Sequence, residues 1–468
     1  MNAVLVSTYD LGRQPFGLAS PTAWLKGQGA SVTCLDLSVQ KFDREAIRSA
    51  DLVAFFLPMH TATRLATKTV KEVKQINPKA HICFYGLYAP VNESFLRNLG
   101  ADTILGGEFE AGLCSLVSRL CDGRSDEVSK QEEPVISLVH QHFKVPDRSG
   151  LPKLKRYAYL QVGLDERRTV GYTEATRGCK HLCRHCPIVP VYNGRFFVVP
   201  QDVVLEDIRR QIAEGAQHIT FGDPDFFNGP KHSMGIVNEL HEEFPGVTYD
   251  VTVKIEHLLK QRHLLPILKD TGCLFVISAV ESIDPKILEI FDKRHTREDF
   301  IQVVSSFRRI GLALNPTFVT FTPWTSLNGY IELLELVAEL DLIDHIAPVQ
   351  YGIRLLIPAG SRLLELRQAR AIIHRYSEEA LSYIWVHPDP RVDRLWKNVV
   401  GSIQEGQARR ESRKEIFGRV WKVAHEANDQ EPPSVPCPVQ AWPGDYVPHL
   451  SEPWYCCAEP TEEQMVLV

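Results

Sequence analysis

The sequence predicts an α/β protein built on two sheets. An N-terminal parallel sheet covered by helices is followed by a partial (β/α)6 barrel, a helical C-terminal region and a proline-rich tail. Three observations carry that prediction. Short apolar strands alternate with helical stretches over residues 1–121, the alternation resumes over 156–358, and strand signals nearly vanish over 359–430. A length of 468 residues agrees, because it suggests about two or three domains.

In the first region, segments 4–6, 32–37, 52–57, 81–85 and 103–105 are buried-strand candidates, rich in β-branched and aromatic residues. Between them, segment 63–76 carries Leu65, Thr69, Val73 and Ile76 on one helical stripe. Gly86, Gly106 and Gly107 stand at strand ends, where sheets of this Rossmann-like kind bind ligands. No G-x-G-x-x-G follows the first strand, which argues against a dinucleotide. Residues 122–155 turn polar and charged and form an interdomain connection. Strands are then expected at 171–176, 219–222, 248–253, 274–280, 314–322 and 349–356, with helices at 203–214, 286–291 and 298–310. Six such units in about 200 residues favour an open barrel over another flat sheet. In 431–468, the prolines at 432, 433, 436, 438, 443, 448, 453 and 460 forbid regular helix or central strand. This tail is either disordered or extended over the body of the protein.

Charge and apolar patterning exclude several function classes. Lys plus Arg is 52 and Asp plus Glu is 58, so a net charge of −6 offers no basic footprint for nucleic acid. No apolar run approaches the roughly 18–20 residues of a membrane span. The N-terminus lacks a basic leader and reads as a first strand. Eleven unevenly spread cysteines without an export signal favour metal or redox work in a reducing compartment, so a cytoplasmic protein is expected.

The sharpest motif is Thr176-Arg177-Gly178-Cys179-Lys180-His181-Leu182-Cys183-Arg184-His185-Cys186-Pro187, directly after the first barrel strand. Three thiolates at C-x3-C-x2-C spacing can each bind a different iron of one 4Fe–4S cluster. The fourth iron is left open to a small molecule, because the next cysteine is Cys273. Lys180 and Arg184 bring positive charge to an anionic centre. The alternative is zinc, with His181 or His185 as fourth ligand, although the paired C-x2-C halves of ordinary zinc folds are missing.

The segment resembles the cluster loop of radical SAM (S-adenosylmethionine) enzymes. That resemblance implies that Cys179, Cys183 and Cys186 hold the cluster and that SAM chelates the open iron. Reductive cleavage of SAM would then give a 5′-deoxyadenosyl radical, with the electron coming from a donor such as flavodoxin or ferredoxin. His185 departs mildly from the family, where an aromatic residue often precedes the third cysteine. Phe221-Gly222-Asp223-Pro224-Asp225 resembles the motif that holds the SAM amino group, which implies a cofactor role for Gly222 and Asp223. Ser278–Pro285 resembles the fourth-strand motif and implies SAM contacts from Glu281 and Ser282; the residues alone would equally serve as helix caps. Lys293-Arg294-His295 and 315–322 continue the pattern, so the resemblance covers about 150–358.

The N-terminal region looks like the cobalamin-binding domain that precedes many radical SAM modules, through 15–20, 85–89 and 106–110. The D-x-H-x-x-G signature is absent. That leaves either a cobalamin bound without a protein histidine or a fold kept without the cofactor. Trp454-Tyr455-Cys456-Cys457-Ala458-Glu459-Pro460 resembles the tail of the CCAEP-tail radical SAM proteins, in which relatives carry selenocysteine at the position of Cys457. Selenocysteine is the stronger nucleophile, so the resemblance implies catalytic thiols at Cys456 and Cys457; free cysteines are otherwise most often buried small hydrophobes. His140 and His142 read as solvated loop residues and 409–415 as a solvated helix face. The expected function is radical chemistry on a small-molecule substrate, with methyl transfer or rearrangement if cobalamin binds. Alternatives are chemistry at a sulfur or metalloid centre held by the tail thiols, or a non-catalytic metal-binding protein.

Overall fold

A computed structural model describes residues 1–122, 132–443 and 446–452. The first sheet has six parallel strands, β1 (Asn2–Ser7), β2 (Ser31–Asp36), β3 (Leu52–Phe56), β4 (His81–Tyr85), β5 (Thr103–Gly107) and β6 (Ile136–Ser137), in the order β2-β1-β3-β4-β5-β6. Its central strands are near-continuous apolar runs because helices cover both faces. The expected stripe lies on the helix His60–Ile76, which buries Leu65, Thr69 and Val73. The strand order reverses between β1 and β3, so the loops at the carboxyl ends there diverge and leave a crevice. β6 comes from the connection, which pairs with β5 instead of hanging free.

The second sheet runs β14-β13-β12-β11-β8-β7-β17. Its parallel core is β8 (Arg167–Thr173), β11 (His218–Phe221), β12 (Thr248–Thr252), β13 (Cys273–Glu281) and β14 (Ala313–Phe318). A short hairpin of β9 (Thr176–Gly178) and β10 (Phe196–Val198) follows β8. The sixth strand expected at 349–356 is not formed. Pro348–Gly352 is a 3-10 turn, and a single parallel bridge from Phe321 to Arg354 marks the strand's place. Gln350 Oε1 accepts the Phe318 N–H at 2.8 Å, the bond a strand neighbour would have supplied. At the opposite edge, β7 (Tyr159–Gln161) pairs antiparallel with β8 and with β17 (His449–Leu450). The tail is therefore extended along the body as far as it is described: Trp421 Nε1 donates to Pro433 O, and Trp442 N–H to Asp341.

Residues 359–430 are less helical than expected. The helices Pro390–Ala408 and Arg413–Ala427 are present, but β15 (Ile373–Ser377) and β16 (Ser382–Trp385) form an antiparallel hairpin before them. Its Trp385 packs into an apolar cluster with Ile353 and Leu355, so tertiary burial overrides weak local strand signals. In the 409–415 charge run, Ser412 and Glu415 make a reciprocal capping box that starts the last helix.

Arg148 clamps the connection to both sheets. It donates to both oxygens of Asp207, at 2.8 and 2.9 Å, to Tyr172 O at 2.7 Å and to Gln14 Oε1 at 2.8 Å. Arg148 and Asp207 are both buried, so removing one partner strands the other charge. Arg148→Met should lower the stability measured by chemical denaturation by about 3–5 kcal/mol, and Arg148→Met with Asp207→Leu should recover most of it. An unchanged midpoint in the single variant would show that the clamp contributes nothing.

Candidate active site

The cysteine loop leaves the carboxyl end of β8 through the β9–β10 hairpin. Gly178 adopts φ +75°, and a Cβ there would lie 2.4 Å from the Tyr192 ring, so only glycine lets the chain enter the loop. Inside the loop, Cys186 N–H donates to Cys183 O at 3.2 Å. Cys183 is buried, while Cys179 and Cys186 are partly exposed. Among the described residues, the one set of three His, Cys, Asp or Glu ligand atoms lying within 4.8 Å of one another is His181, Asp225 and His257. The three cysteine sulfurs are spread more widely than that. A tetrahedral zinc with bonds of about 2.3 Å would need sulfurs ~3.8 Å apart.

Lys180 and Arg184 serve the backbone here. Lys180 Nζ donates to Phe227 O and Asn228 O, while the Arg184 guanidinium donates to Glu289 O and Ile290 O at the end of the helix Pro285–Phe291. The buried cation beside Cys183 and Cys186 is Lys293. Burial pushes its pKa down, but Glu281 and the nearby Cys183 and Cys186 raise it overall. Glu281 ends β13 at a register shift, with φ +67°, and accepts from His185 Nε2 at 3.2 Å and Lys293 Nζ at 3.4 Å. Burial opposes its ionisation, yet Lys293 and His185 hold its carboxyl down at about 2. A left-handed glutamate is costly, and the ion pair with Lys293 and the contact with His185 hold the conformation.

Asp225 braces the other side of the loop. Its Oδ2 lies 2.7 Å from His257 Nδ1 and 3.2 Å from His181 Nε2, and Oδ1 accepts the Phe227 N–H. Lys254 Nζ sits 3.4 Å from His181 Nδ1, an ammonium that opposes a metal cation in this cluster. Asp223 ties β11 to the turn before the loop, accepting from Ala175 N–H at 2.9 Å and Thr176 Oγ1 at 2.6 Å. Burial raises it to about 6. Gly222 is required by its neighbour, because a Cβ would fall 1.8 Å from the Tyr172 hydroxyl.

A cavity of about 480 Å³ lies between the carboxyl ends of the two sheets. Cys186, Gly222, Asp223 and Glu281 line it on the barrel side. Leu11, Phe56, Met59, Leu87, Tyr88 and Phe109 give the N-terminal side an apolar wall. The tail contributes His449, Leu450 and Glu452, and Tyr9 donates to Glu452 Oε1 at 2.8 Å. Ser282 stands apart from these residues: it lines a separate pocket of about 20 Å³, and its Oγ accepts the Asp284 N–H. Cys456 and Cys457 lie outside the described residues. Sequence reasoning assigned no role to Lys293 or His257, which no local spacing links to the cysteines, nor to Arg177, two of whose three carboxylate partners are remote in sequence. Arg177, just before the loop, pairs with Glu110 at 2.6 Å, Glu174 at 3.0 Å and Glu108 at 3.5 Å, and so joins the hairpin to the end of β5.

Residues 173–337 match the family described as the radical SAM superfamily. Those residues are a radical SAM domain. The hopanoid C-3 methylase of Methylococcus capsulatus is 25% identical over 331 residues, which span 66% of this chain and 62% of that protein. An uncharacterized methyltransferase of Pyrococcus horikoshii is 22% identical over 75% of each chain. Among solved structures, the radical SAM methyltransferase TsrM from Kitasatospora setae, with tryptophan and a SAM analogue bound, gives a TM-score of 0.67 at 15% identity, covering 86% of this chain and 89% of that one. The cobalamin-dependent SAM radical enzyme OxsB, with aqua-cobalamin bound, gives 0.68 at 14% identity, covering 92% and 74%. At such identities the likeness establishes the fold, and it extends over both sheets.

Proposed function

We propose that this protein is a cytoplasmic, cobalamin-dependent radical SAM methyltransferase acting on a small substrate. The observation that carries this reading is the single cavity with Cys186 on one wall and the apolar face of the N-terminal sheet on the other. Relatives and structural neighbours named as methyltransferases support the choice of methyl transfer over rearrangement. No helix among the described residues is long and apolar enough to cross a membrane.

The residues fit the three groups. Cys179, Cys183 and Cys186 would hold the 4Fe–4S cluster: three thiols without a local fourth, set wider than one ion needs, with Lys293 buried beside an anionic centre. A cavity of about 480 Å³ falls in the range of small-molecule sites and would take SAM, with Gly222, Asp223 and Glu281 on its polar side. Among the described residues, no histidine of the N-terminal domain lines the cavity, so cobalamin would lie against Leu11, Met59 and Phe109 without a protein nitrogen on cobalt. When bound, cluster and SAM supply one-electron cleavage of a carbon–sulfur bond, and cobalamin supplies a methyl carrier. Glu281 holds Lys293 and His185 in place beside the cysteines, and Arg177 holds the loop against the N-terminal domain. An external reduced protein such as flavodoxin or ferredoxin would donate the electron.

Cys456 and Cys457 complete the reading as catalytic thiols of a CCAEP-tail protein. They follow Glu452 by four and five residues, and Glu452 is itself in the cavity wall. A nucleophilic thiolate acts only in contact with its target.

Changing Cys179, Cys183 and Cys186 together to Ala should abolish the iron–sulfur chromophore and SAM cleavage in a protein that still folds; retained cleavage would sink the reading. Protein from cobalamin-fed cells should carry stoichiometric corrinoid whose Co(II) electron paramagnetic resonance spectrum lacks nitrogen splitting. No uptake under saturating hydroxocobalamin would reduce residues 1–121 to a scaffold. Cys457→Ser should keep cluster assembly and SAM cleavage but lose methylated product, and normal turnover in that variant would remove the thiol from the reaction.

A further inference from the structure

One wall of the cavity is left with unpaired polarity. Asn315 on β14, His345 after the helix Leu327–Glu339 and Gln350 in the 3-10 turn all line it. They are 8%, 3% and 1% exposed, so water does not solvate them freely. In each, one polar atom has no protein partner: Asn315 Oδ1, His345 Nε2 and Gln350 Nε2. Buried polar groups are normally paired, and three orphans from three elements around one cavity need an explanation.

The other end of each side chain fixes its hydrogen-bond sense. His345 Nδ1 lies 2.9 Å from Leu314 O, and a carbonyl only accepts, so Nδ1 carries the proton. Burial pushes the ring's pKa down to about 4, which keeps it neutral and leaves Nε2 as an acceptor. Asn315 Nδ2 donates to Pro448 O at 3.4 Å, leaving Oδ1 as an acceptor. Gln350 Oε1 is taken by the Phe318 N–H, leaving the NH2 as a donor. The wall therefore offers two acceptors and one donor. Trp442 of the tail packs on the His345 ring at 4.3 Å and fixes its orientation. Arg413, on the same wall, donates to Asp344 O.

We infer that Asn315, His345 and Gln350 are the substrate-recognition end of the cavity, selecting a neutral group that presents N–H donors and one carbonyl acceptor, of the carboxamide type. The inference rests on the proposed function only in taking this cavity as the substrate's. A carboxylate would set its lone pairs against Asn315 Oδ1 and His345 Nε2, while a tertiary amide has no N–H to offer them. The missing sixth strand is what makes the subsite, because a strand neighbour at Phe318 would have used the bond that now orients Gln350.

The test uses full-length protein reconstituted with iron and sulfide and three probes of one size class: benzamide, benzoate and N,N-dimethylbenzamide. Calorimetry or saturation-transfer NMR should give benzamide about tenfold tighter binding than either, since a site built for hydrogen bonds rejects analogues lacking them. Gln350→Glu, measured at alkaline pH where its buried carboxyl is ionised, keeps the shape and the bond from Phe318 N–H but replaces the donor with an acceptor, and it should erase the benzamide preference. Asn315→Leu should weaken benzamide and leave N,N-dimethylbenzamide unchanged. Equal binding of the three probes, no benzamide binding at millimolar concentration, or an unaltered preference in Gln350→Glu would overturn the inference. SAM cleavage by the same preparation separates the two readings: intact cleavage without benzamide preference overturns the subsite alone.

Discussion

Arg177 is the point on which both halves of the molecule close. Its guanidinium is buried among Glu108 and Glu110 from the end of β5 and Glu174 from the turn after β8. Phe109, between the two glutamates, and Phe16 and Phe143, from two further segments, lie against it at 5.1–5.7 Å. One cation cannot neutralise three carboxylates. Glu110 is nearest and also accepts from Ser20 and Gln141, so it stays ionised despite its burial. Burial pushes Glu108 and Glu174 up to about 7, each held back by Arg177. The pair Arg177–Glu110 is therefore the ionic bond, and the other two carboxylates are partly protonated near neutral pH. Because Cys179 follows two residues later, the docking of the two domains and the position of the cysteine loop are one constraint.

A second constraint acts at the far edge of the barrel. A complete six-stranded half-barrel would carry its ladder past β14, but the chain turns into a 3-10 segment and a side chain substitutes for the strand. That substitution exchanges regular backbone pairing for polar side chains in the cavity wall. The tail then returns across the opposite edge through β17 and sets His449 and Glu452 in the same wall. The cavity is consequently enclosed by three parts of the chain that are remote in sequence.

How much of this was legible beforehand follows the range of the interactions involved. Strands β1 to β5 of the N-terminal sheet, the helix His60–Ile76 and the five parallel barrel strands were readable because periodicity and β-branched runs act within a few residues. The cysteine loop was readable because its three thiols sit within eight residues. The β15–β16 hairpin was missed because Trp385 is held by Ile353 and Leu355 rather than by local propensity. The sixth strand was overread for the same reason: its apolar run met no ladder of partners beyond the single bridge to Phe321.

The sequence by itself determined the cysteine loop, since Gly178 and the spacing of Cys179, Cys183 and Cys186 are local facts of backbone and residue type. It also determined that the tail could not be helical, through the fixed φ of its prolines. Only the tertiary structure decided which charges serve the loop. Lys180 and Arg184, adjacent in sequence, are spent on backbone carbonyls, whereas Lys293, more than a hundred residues away, lies beside the thiols. Electrostatic interactions fall off with distance in space and are indifferent to separation along the chain, so their partners emerge only when the strands that carry them are packed side by side.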